Sequence, residues 1–151
     1  MKIRKATKFD IPILQIIKPS LPVKAVENRL ERQKRGEVGF LILEENGAPV
    51  SFTLLKWRGK STHPEYPDIE DLFTKKSERG KSYASILIEE CEKRARNRDY
   101  TKIGLAVNPT ENPKAKEFYE RLGYRHDGRD AYLDGTYNGV EDWVIDMEKE
   151  L

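Results

Sequence analysis

A short basic turn at the start of a predicted helix is the first candidate for chemistry. It consists of Arg79, Gly80, Lys81, Ser82, Tyr83 and Ala84, and two more lysines, Lys75 and Lys76, precede it. The first turn of a helix has unpaired backbone N–H groups, and the helix dipole favours an anion there. Small residues let a ligand approach the backbone closely. The turn therefore predicts a binding site for a phosphate or a diphosphate.

A second element follows the next predicted strand and carries five residues at fixed spacing: Asn112, Ala115, Tyr119, Gly123 and Tyr124. Together the two elements resemble the Gcn5-related N-acetyltransferase (GNAT) superfamily. In that family, a motif of Arg or Gln, two variable residues, Gly, one variable residue, and Gly or Ala binds the pyrophosphate of acetyl-CoA through backbone amides. Arg79, Ser82 and Ala84 occupy these places, and the five residues above match the second family motif.

The resemblance implies an enzyme, an acetyl-CoA-dependent N-acetyltransferase, and assigns roles to individual residues. Tyr119 would protonate the departing CoA thiolate as a general acid. Asn112 would contact the pantetheine arm. Backbone groups of Leu72, Phe73 and Thr74 would hold the pantetheine where the fourth and fifth strands splay apart, and one N–H there would polarise the thioester carbonyl. Without the resemblance, Tyr119 has another interpretation as a partly buried helix aromatic.

The turn departs from the family at Ser82, where the family usually has Gly. Serine can adopt helical dihedrals, can cap a helix and can offer its hydroxyl to a phosphate, so we expect the turn to bind acetyl-CoA. The departure also leaves a different class of function open, in which the chain binds CoA as a sensor and does not catalyse transfer.

The acceptor side needs a group that takes a proton, because a protonated amine cannot attack a thioester. Glu70 is the first candidate for this base and Asp68 is the reserve, since both share one face of an extended strand with Leu72. Asp71 points to the other face unless the strand bulges. A water chain is a further route for the proton, and each acid has an alternative interpretation as a solvated charge at a strand end.

Acidic residues are concentrated in two stretches that flank the basic turn. Residues 61–74 contain four acids and no Lys or Arg, and the closing segment carries five more: Asp127, Asp130, Asp134, Glu141 and Asp142. Because carboxylates in a cleft attract and orient an ammonium group, we expect Asp68 and Asp71 to bind a cationic small-molecule amine.

The identity of the acceptor amine stays open at this stage. The string from Glu70 to Phe73 is similar to the corresponding strand of diamine and polyamine acetyltransferases, and the aminoglycoside branch of the family is also similar. The candidates are a polyamine, a diamine or an amino sugar, with a peptide N-terminus or a lysine side chain as the alternative.

Periodic segments supply the elements that must position these residues. Strands are predicted at 2–6, 38–43, 50–55, 68–74 and 103–107, around Tyr124 and at 143–147, and helices from Ile11, at 23–34, at 80–98 and at 113–122. Asn46 and Gly47 predict a tight hairpin. The order predicts an α/β fold: one GNAT-like domain over residues 1–151, with a mixed sheet of about six to seven strands flanked by about four helices.

Composition argues against several other classes of protein. The formal net charge is only +2 and the basic residues cluster at one turn, so nucleic acid is not a predicted partner. No apolar stretch approaches the roughly 20 residues of a membrane span. Cys91 is the only cysteine, which predicts no internal disulfide, no zinc or other metal site, and a cytoplasmic location.

The remaining distinctive side chains have structural interpretations. Cys91 lies on the apolar face of a predicted helix and should be in the core. His63 and His126 are expected at the surface, and Trp57 and Trp143 are expected to pack on the sheet. The last strand, near Trp143, offers an edge through which a homodimer could form.

Overall fold

The computed structural model describes residues 1–151. Eight strands form one mixed sheet: β1 (Lys2–Lys5), β2 (Val38–Glu45), β3 (Ala48–Lys56), β4 (Asp68–Thr74), β5 (Lys102–Val107), β6 (Arg125–His126), β7 (Tyr132–Tyr137) and β8 (Val140–Glu150). Four helices accompany them: α1 (Ile11–Ile17), α2 (Val23–Lys34), α3 (Tyr83–Asn97) and α4 (Pro113–Arg121). None of the helices has the length and apolar character that crossing a membrane requires.

The sheet is antiparallel except at its centre. The strands lie in the order β1-β2-β3-β4-β5-β8-β6, and β7 pairs with β8 outside this path. β4 and β5 are parallel, because α3 connects them as a crossover helix. Their pairing is limited to Asp68 with Gly104 and Ile69 with Leu105, although β4 continues to Thr74 and β5 to Val107. The two strands therefore diverge and leave a gap between their carboxyl ends.

Two hydrophobic cores cover the two faces of the sheet. Successive residues of a strand point to opposite faces, so Leu41 and Leu43 of β2 pack in the core under α3, whereas Phe40 and Ile42 pack in the core under α1 and α2. Burial on both faces explains the continuous apolar run of β2. Cys91 is fully buried in the core under α3, as predicted.

A bulge interrupts β4 next to the gap. Phe73 pairs with Phe52 and Glu70 with Leu54, so Asp71 and Leu72 together face the single residue between Phe52 and Leu54 on β3. Asp71 has a φ of 47°, a left-handed conformation that β-strand residues avoid. The bulge rotates the end of β4 relative to its start and places Asp71 on the side of α1 and α2.

Most of the predicted elements are present, with shifted ends. The Asn46-Gly47 turn joins β2 to β3 with φ of 52° and 78°, as a tight hairpin requires. The helix predicted at 80–98 begins only at Tyr83. The sheet has eight strands where six to seven were predicted, and the additional strand is β7, which is mostly exposed and pairs only with β8.

Candidate functional site

A large cleft, with a volume of about 1020 Å³, opens at the gap between β4 and β5. Its walls come from the end of α1 and the start of α2, from β4, β5 and α4, and from the hairpin of β7 and β8. Five acidic side chains line it against three basic ones: Asp68, Glu70, Asp71, Asp134 and Asp142 against Lys18, Arg29 and Lys60. The cleft is therefore acidic.

The turn before α3 presents unpaired backbone N–H groups to solvent. The first N–H of the helix to bond a backbone carbonyl is that of Ile86, which donates to the Ser82 carbonyl at 3.2 Å, so the N–H groups of Tyr83, Ala84 and Ser85 have no partner within the helix. A side chain added at Gly80 would meet nothing within 4 Å. Free N–H groups at a helix start, with open space beside the neighbouring Gly80, fit a diphosphate.

Ser82 adopts a left-handed conformation, with a φ of 67°, not the right-handed helical dihedrals that serine was expected to take. Its side chain is exposed and makes no capping hydrogen bond. This conformation explains why the family usually has Gly here, because only Gly adopts a positive φ without steric cost.

Arg79 fastens the turn to the end of β4. Its Nε donates to the Thr74 carbonyl at 3.1 Å, and its guanidinium lies 5.2 Å from the centre of the Phe73 ring. Lys81 is ion-paired with Glu78 at 2.7 Å. The predicted pyrophosphate and pantetheine segments are thus adjacent in the structure. Leu72 lines the cleft, beyond the last residue pair between β4 and β5.

Tyr119 lies on the cleft wall with a free hydroxyl. The side chain is half-buried and its ring packs edge-on against Tyr124, with ring centres 6.4 Å apart. No protein group hydrogen-bonds to the hydroxyl, and burial alone raises the pKa of Tyr119 above its ordinary value. The phenol therefore stays protonated at neutral pH and can donate to a group in the cleft. Asn112 is the N-cap of α4, where its side-chain oxygen accepts from the Ala115 N–H at 3.3 Å.

The predicted acceptor-side carboxylates have different environments. Glu70 faces the cleft and is ion-paired with Lys56 at 3.2 Å. Asp71 also lines the cleft, but Lys18 at 2.5 Å and Arg29 at 2.8 Å neutralise it. Asp68 is fully buried at the base of the cleft, so its interpretation as a solvated charge is wrong. Burial raises the pKa of Asp68 to about 6.

His63 was predicted at the surface, but it is fully buried beside Asp68, so that prediction is wrong. Its Nε2 is 3.2 Å from Asp68 Oδ1, and its ring is stacked on Tyr66 with ring centres 4.3 Å apart. Burial lowers the pKa of His63, but the Asp68 carboxylate, together with Asp146 and the Tyr66 carbonyl, raises it above its ordinary value overall. A local sequence signal for this contact is absent, because the loop that carries His63 is polar and rich in proline.

Other predicted side chains fall where expected, with one exception. His126 is exposed, and Trp57 is buried and stacked on Tyr100 with ring centres 6.0 Å apart. Trp143 is 47% exposed on β8, so its predicted sheet packing is wrong. No group of three or more His, Cys, Asp or Glu side chains is placed to hold a metal ion.

Comparison with known proteins identifies the family. A sequence model described as acetyltransferase (GNAT) family matches residues 9–124, about three quarters of the chain. The chain belongs to this family. An uncharacterized N-acetyltransferase of Methanocaldococcus jannaschii is 34% identical over 93 residues, which are 60% of this chain and 41% of that protein. The chain thus matches less than half of the length of this relative.

Solved structures of N-acetyltransferases share the fold over the whole chain. A ribosomal-protein-alanine N-acetyltransferase from Brucella melitensis has a TM-score of 0.81 at 19% identity, and the match covers 100% of both chains. A chimera of the spermidine N-acetyltransferase SpeG from Vibrio cholerae and hSSAT has a TM-score of 0.79 at 18% identity, and the match covers 99% of this chain and 96% of the other. The predicted family and fold are confirmed.

The family also supports two further predictions, the enzyme class of acyltransferase and acetyl-CoA as the acyl donor. It does not determine the substrate class, because the relatives named above are described by different amine acceptors. The roles of individual residues stay predictions.

Proposed function

We propose that the chain transfers an acetyl group from acetyl-CoA to the primary amine of a cationic small molecule that binds in the acidic cleft. One observation carries the proposal: the free hydroxyl of Tyr119 and the carboxylates of Asp68 and Glu70 line the same cleft, at the point where β4 and β5 diverge. A proton donor and proton acceptors are thereby placed around one opening in the sheet.

The donor side is built from backbone groups. The N–H groups of the turn from Arg79 to Ala84 would hold the pyrophosphate, and the backbone of Leu72, Phe73 and Thr74 would hold the pantetheine. The side-chain amide nitrogen of Asn112 remains available for the same arm, because only its oxygen is used in the cap. When bound, acetyl-CoA supplies an acetyl group activated as a thioester. Tyr119 donates its proton to the departing sulfur and recovers one from the acylated amine.

The acceptor side is set by charge. Lys18 and Arg29 are occupied by Asp71, and Lys60 pairs with Asp134 at 3.3 Å. Glu70 is paired with Lys56, whereas Asp68 and Asp142 have no Lys or Arg partner and add negative charge on two walls of the cleft, which favours an acceptor with more than one ammonium group. Polyamines, diamines and amino sugars share this chemistry. The likeness to a spermidine N-acetyltransferase agrees with it, whereas the likeness to a ribosomal-protein-alanine N-acetyltransferase supports the peptide alternative.

An acceptor panel tests the proposal. Thiol release from acetyl-CoA is measured with spermidine, a diamine, an aminoglycoside, a peptide with a free N-terminal alanine, and a lysine peptide. We expect the highest kcat/KM with a polycation, and a marked fall at high salt because screening weakens the acidic cleft. A higher kcat/KM with the peptides contradicts the small-molecule acceptor. Binding of acetyl-CoA without transfer to any amine favours the sensor.

Tyr119→Phe tests the proton donor. Removal of the hydroxyl should lower kcat by about 100-fold or more, while the dissociation constant of acetyl-CoA stays unchanged because the donor site is made of backbone groups. Tyr100→Phe is the matched control, because Tyr100 does not line the cleft. Its hydroxyl donates to the Trp57 carbonyl oxygen at 3.4 Å. Unchanged kcat in the Tyr119 variant would remove this residue from the mechanism.

A further inference from the structure

The buried pair of His63 and Asp68 is the least expected feature of the cleft. Both side chains are fully buried, and the shortest contact between them is 3.2 Å from Nε2 to Oδ1. The imidazole edge is not aligned with the carboxylate, so neither Asp68 oxygen nor His63 Nε2 has a hydrogen-bond partner. A buried carboxylate without a partner is costly, and Asp68 lines the cleft where a ligand could satisfy it.

Two glycines leave the room that the close packing around this pair requires. At Gly59, which has a φ of 66°, an added Cβ would lie 2.2 Å from the Tyr66 carbonyl and 2.4 Å from the His63 carbonyl. At Gly104 it would lie 3.0 Å from the Tyr66 ring and 3.2 Å from the His63 ring. Gly104 is also the residue of β5 that pairs with Asp68. The loop that carries His63 is therefore packed against the centre of the sheet.

Four other charged groups lie around the pair, one on its own strand β4 and the others on neighbouring segments. Lys60 and Glu70 act on Asp68 with opposite sign, and Asp146 of β8 acts on His63. Glu148 of β8 accepts from the Tyr66 hydroxyl at 2.9 Å. Three of these four groups are acidic, and Lys60 is already paired with Asp134. An ammonium group in the cleft would therefore be the charge partner that Asp68 lacks.

We propose that Asp68 accepts the proton of the acceptor amine and that His63, which is packed against its carboxylate, is the positioning residue that tunes it. The inference rests on the proposed function and deepens it. Because the Asp68 carboxylate is fully buried, the proton passes from the ammonium nitrogen through a water at the base of the cleft to a carboxylate oxygen of Asp68, and the nitrogen keeps the electron pair with which it attacks. The protonated pair then loses this proton to solvent before the next turnover. Glu70, which is paired with Lys56, attracts the cationic acceptor but does not take its proton.

The pKa directions agree with this geometry. Burial raises the pKa of Asp68 toward neutrality, and Asp68 in turn raises the pKa of His63. The pair therefore holds a proton in mildly acidic solution and is free to accept one above that range. We expect kcat/KM to rise with pH through the titration of the pair.

Kinetics of variants test the proposal on the intact protein. Asp68→Asn should lower kcat/KM at neutral pH by about 100-fold or more and abolish the acid limb of the pH profile. His63→Phe keeps a ring to stack on Tyr66 but removes the group that lowers the pKa of Asp68, so the acid limb should move to higher pH. Glu70→Gln should raise KM for a polycation and keep the limb. His126→Gln, which removes the only other imidazole, should change nothing.

Several outcomes overturn the proposal. A limb that persists in Asp68→Asn, or that disappears in Glu70→Gln, assigns the proton acceptor elsewhere. A lower melting temperature of His63→Phe with an unmoved limb makes His63 a structural residue only.

Proton NMR of the imidazoles tests the pair without substrate, and so separates its failure from that of the proposed function. The chain has two histidines, and His126→Gln identifies the resonance of His63. In Asp68→Asn the pKa of His63 should fall, because the carboxylate that raises it is gone while burial remains. A pKa unchanged by Asp68→Asn overturns the coupling even if acetyl transfer is found. A coupled titration in a protein that acetylates no amine refutes the proposed function and, with it, the role of Asp68.

Discussion

Ser82→Gly is the substitution that most directly tests the left-handed residue in the turn before α3. Ser82 has a φ of 67°, and its exposed side chain makes no hydrogen bond to the turn. A left-handed conformation costs a non-glycine residue about 1–2 kcal/mol. Replacement by Gly removes this cost but adds conformational entropy to the unfolded chain, which costs about 0.4–1 kcal/mol. The net gain should be about 0.5–1 kcal/mol, or a melting temperature raised by roughly 1–4 °C.

Ser82→Ala provides the matched control, because alanine keeps the left-handed strain and loses only a hydroxyl that has no partner. Its free energy of unfolding should stay within about 0.5 kcal/mol of the parent. Denaturant unfolding measures both variants, and calorimetric titration measures their affinity for acetyl-CoA. The affinity of Ser82→Gly for acetyl-CoA should be equal to or higher than that of the parent protein, because the N–H groups of the turn before α3 are unchanged. Equal shifts in the two variants, or a loss of stability in Ser82→Gly, would refute the strain argument.

Two further predictions concern close packing and an ion pair. Gly104→Ala should lower the free energy of unfolding by about 1–3 kcal/mol and reduce kcat, because the new methyl group would press on the Tyr66 and His63 rings. Gly39→Ala is the control and should do neither, because its Cβ would have its nearest contact at 3.9 Å. Denaturant unfolding measures the first effect and thiol release the second, and equal effects in the two variants contradict the reasoning. Asp10→Asn should cost about 1.5–3 kcal/mol at neutral pH, because Asp10 accepts from both Arg4 Nη atoms at 2.8 and 2.7 Å. Arg4 lowers the pKa of Asp10, so this contribution is present above the ordinary value of 3.8 and is lost as the pH falls through the folded value. Unfolding curves at neutral and acidic pH, with the exposed Asp130→Asn as control, should show a deficit that shrinks in acid; a deficit independent of pH would contradict the ion-pair origin.

Local patterns predicted the elements that carry a strong periodic signal or a specific turn. The hairpin at Asn46 and Gly47 and the ends of α4 at Asn112 and Gly123 follow from short-range chemistry, and the structure has all of them. The strand β7 carried no such signal, because Tyr132–Tyr137 has a glycine near its middle and is mostly exposed. It exists because β8 offers a long edge to pair with, which is a tertiary effect.

For the same reason, the sequence predicts only part of the candidate site. The spacing of Arg79, Ser82 and Ala84 and the position of Tyr119 are local motifs, so sequence alone could single them out. The burial of His63 depends on Gly104, which is 41 residues away and reaches it only after β5 enters the sheet. Long-range contacts of this kind leave no periodic trace. A polar loop was therefore expected at the surface although it is packed against the sheet.

The strand β4 lies between the acceptor side and the donor side of the candidate site, and its bulge separates the part of the strand that faces each side. A regular strand would keep Asp68, Glu70 and Leu72 on one face and would send Asp71 to the other. The left-handed Asp71 breaks this alternation and is held there by Lys18 and Arg29, so these two basic side chains do not neutralise the other carboxylates of the cleft. In the proposed function, the part of β4 before the bulge would contribute acidic side chains for the amine. After the bulge β4 no longer pairs with β5, and its free backbone groups would hold the thioester arm, so that one strand would bring acceptor and donor together.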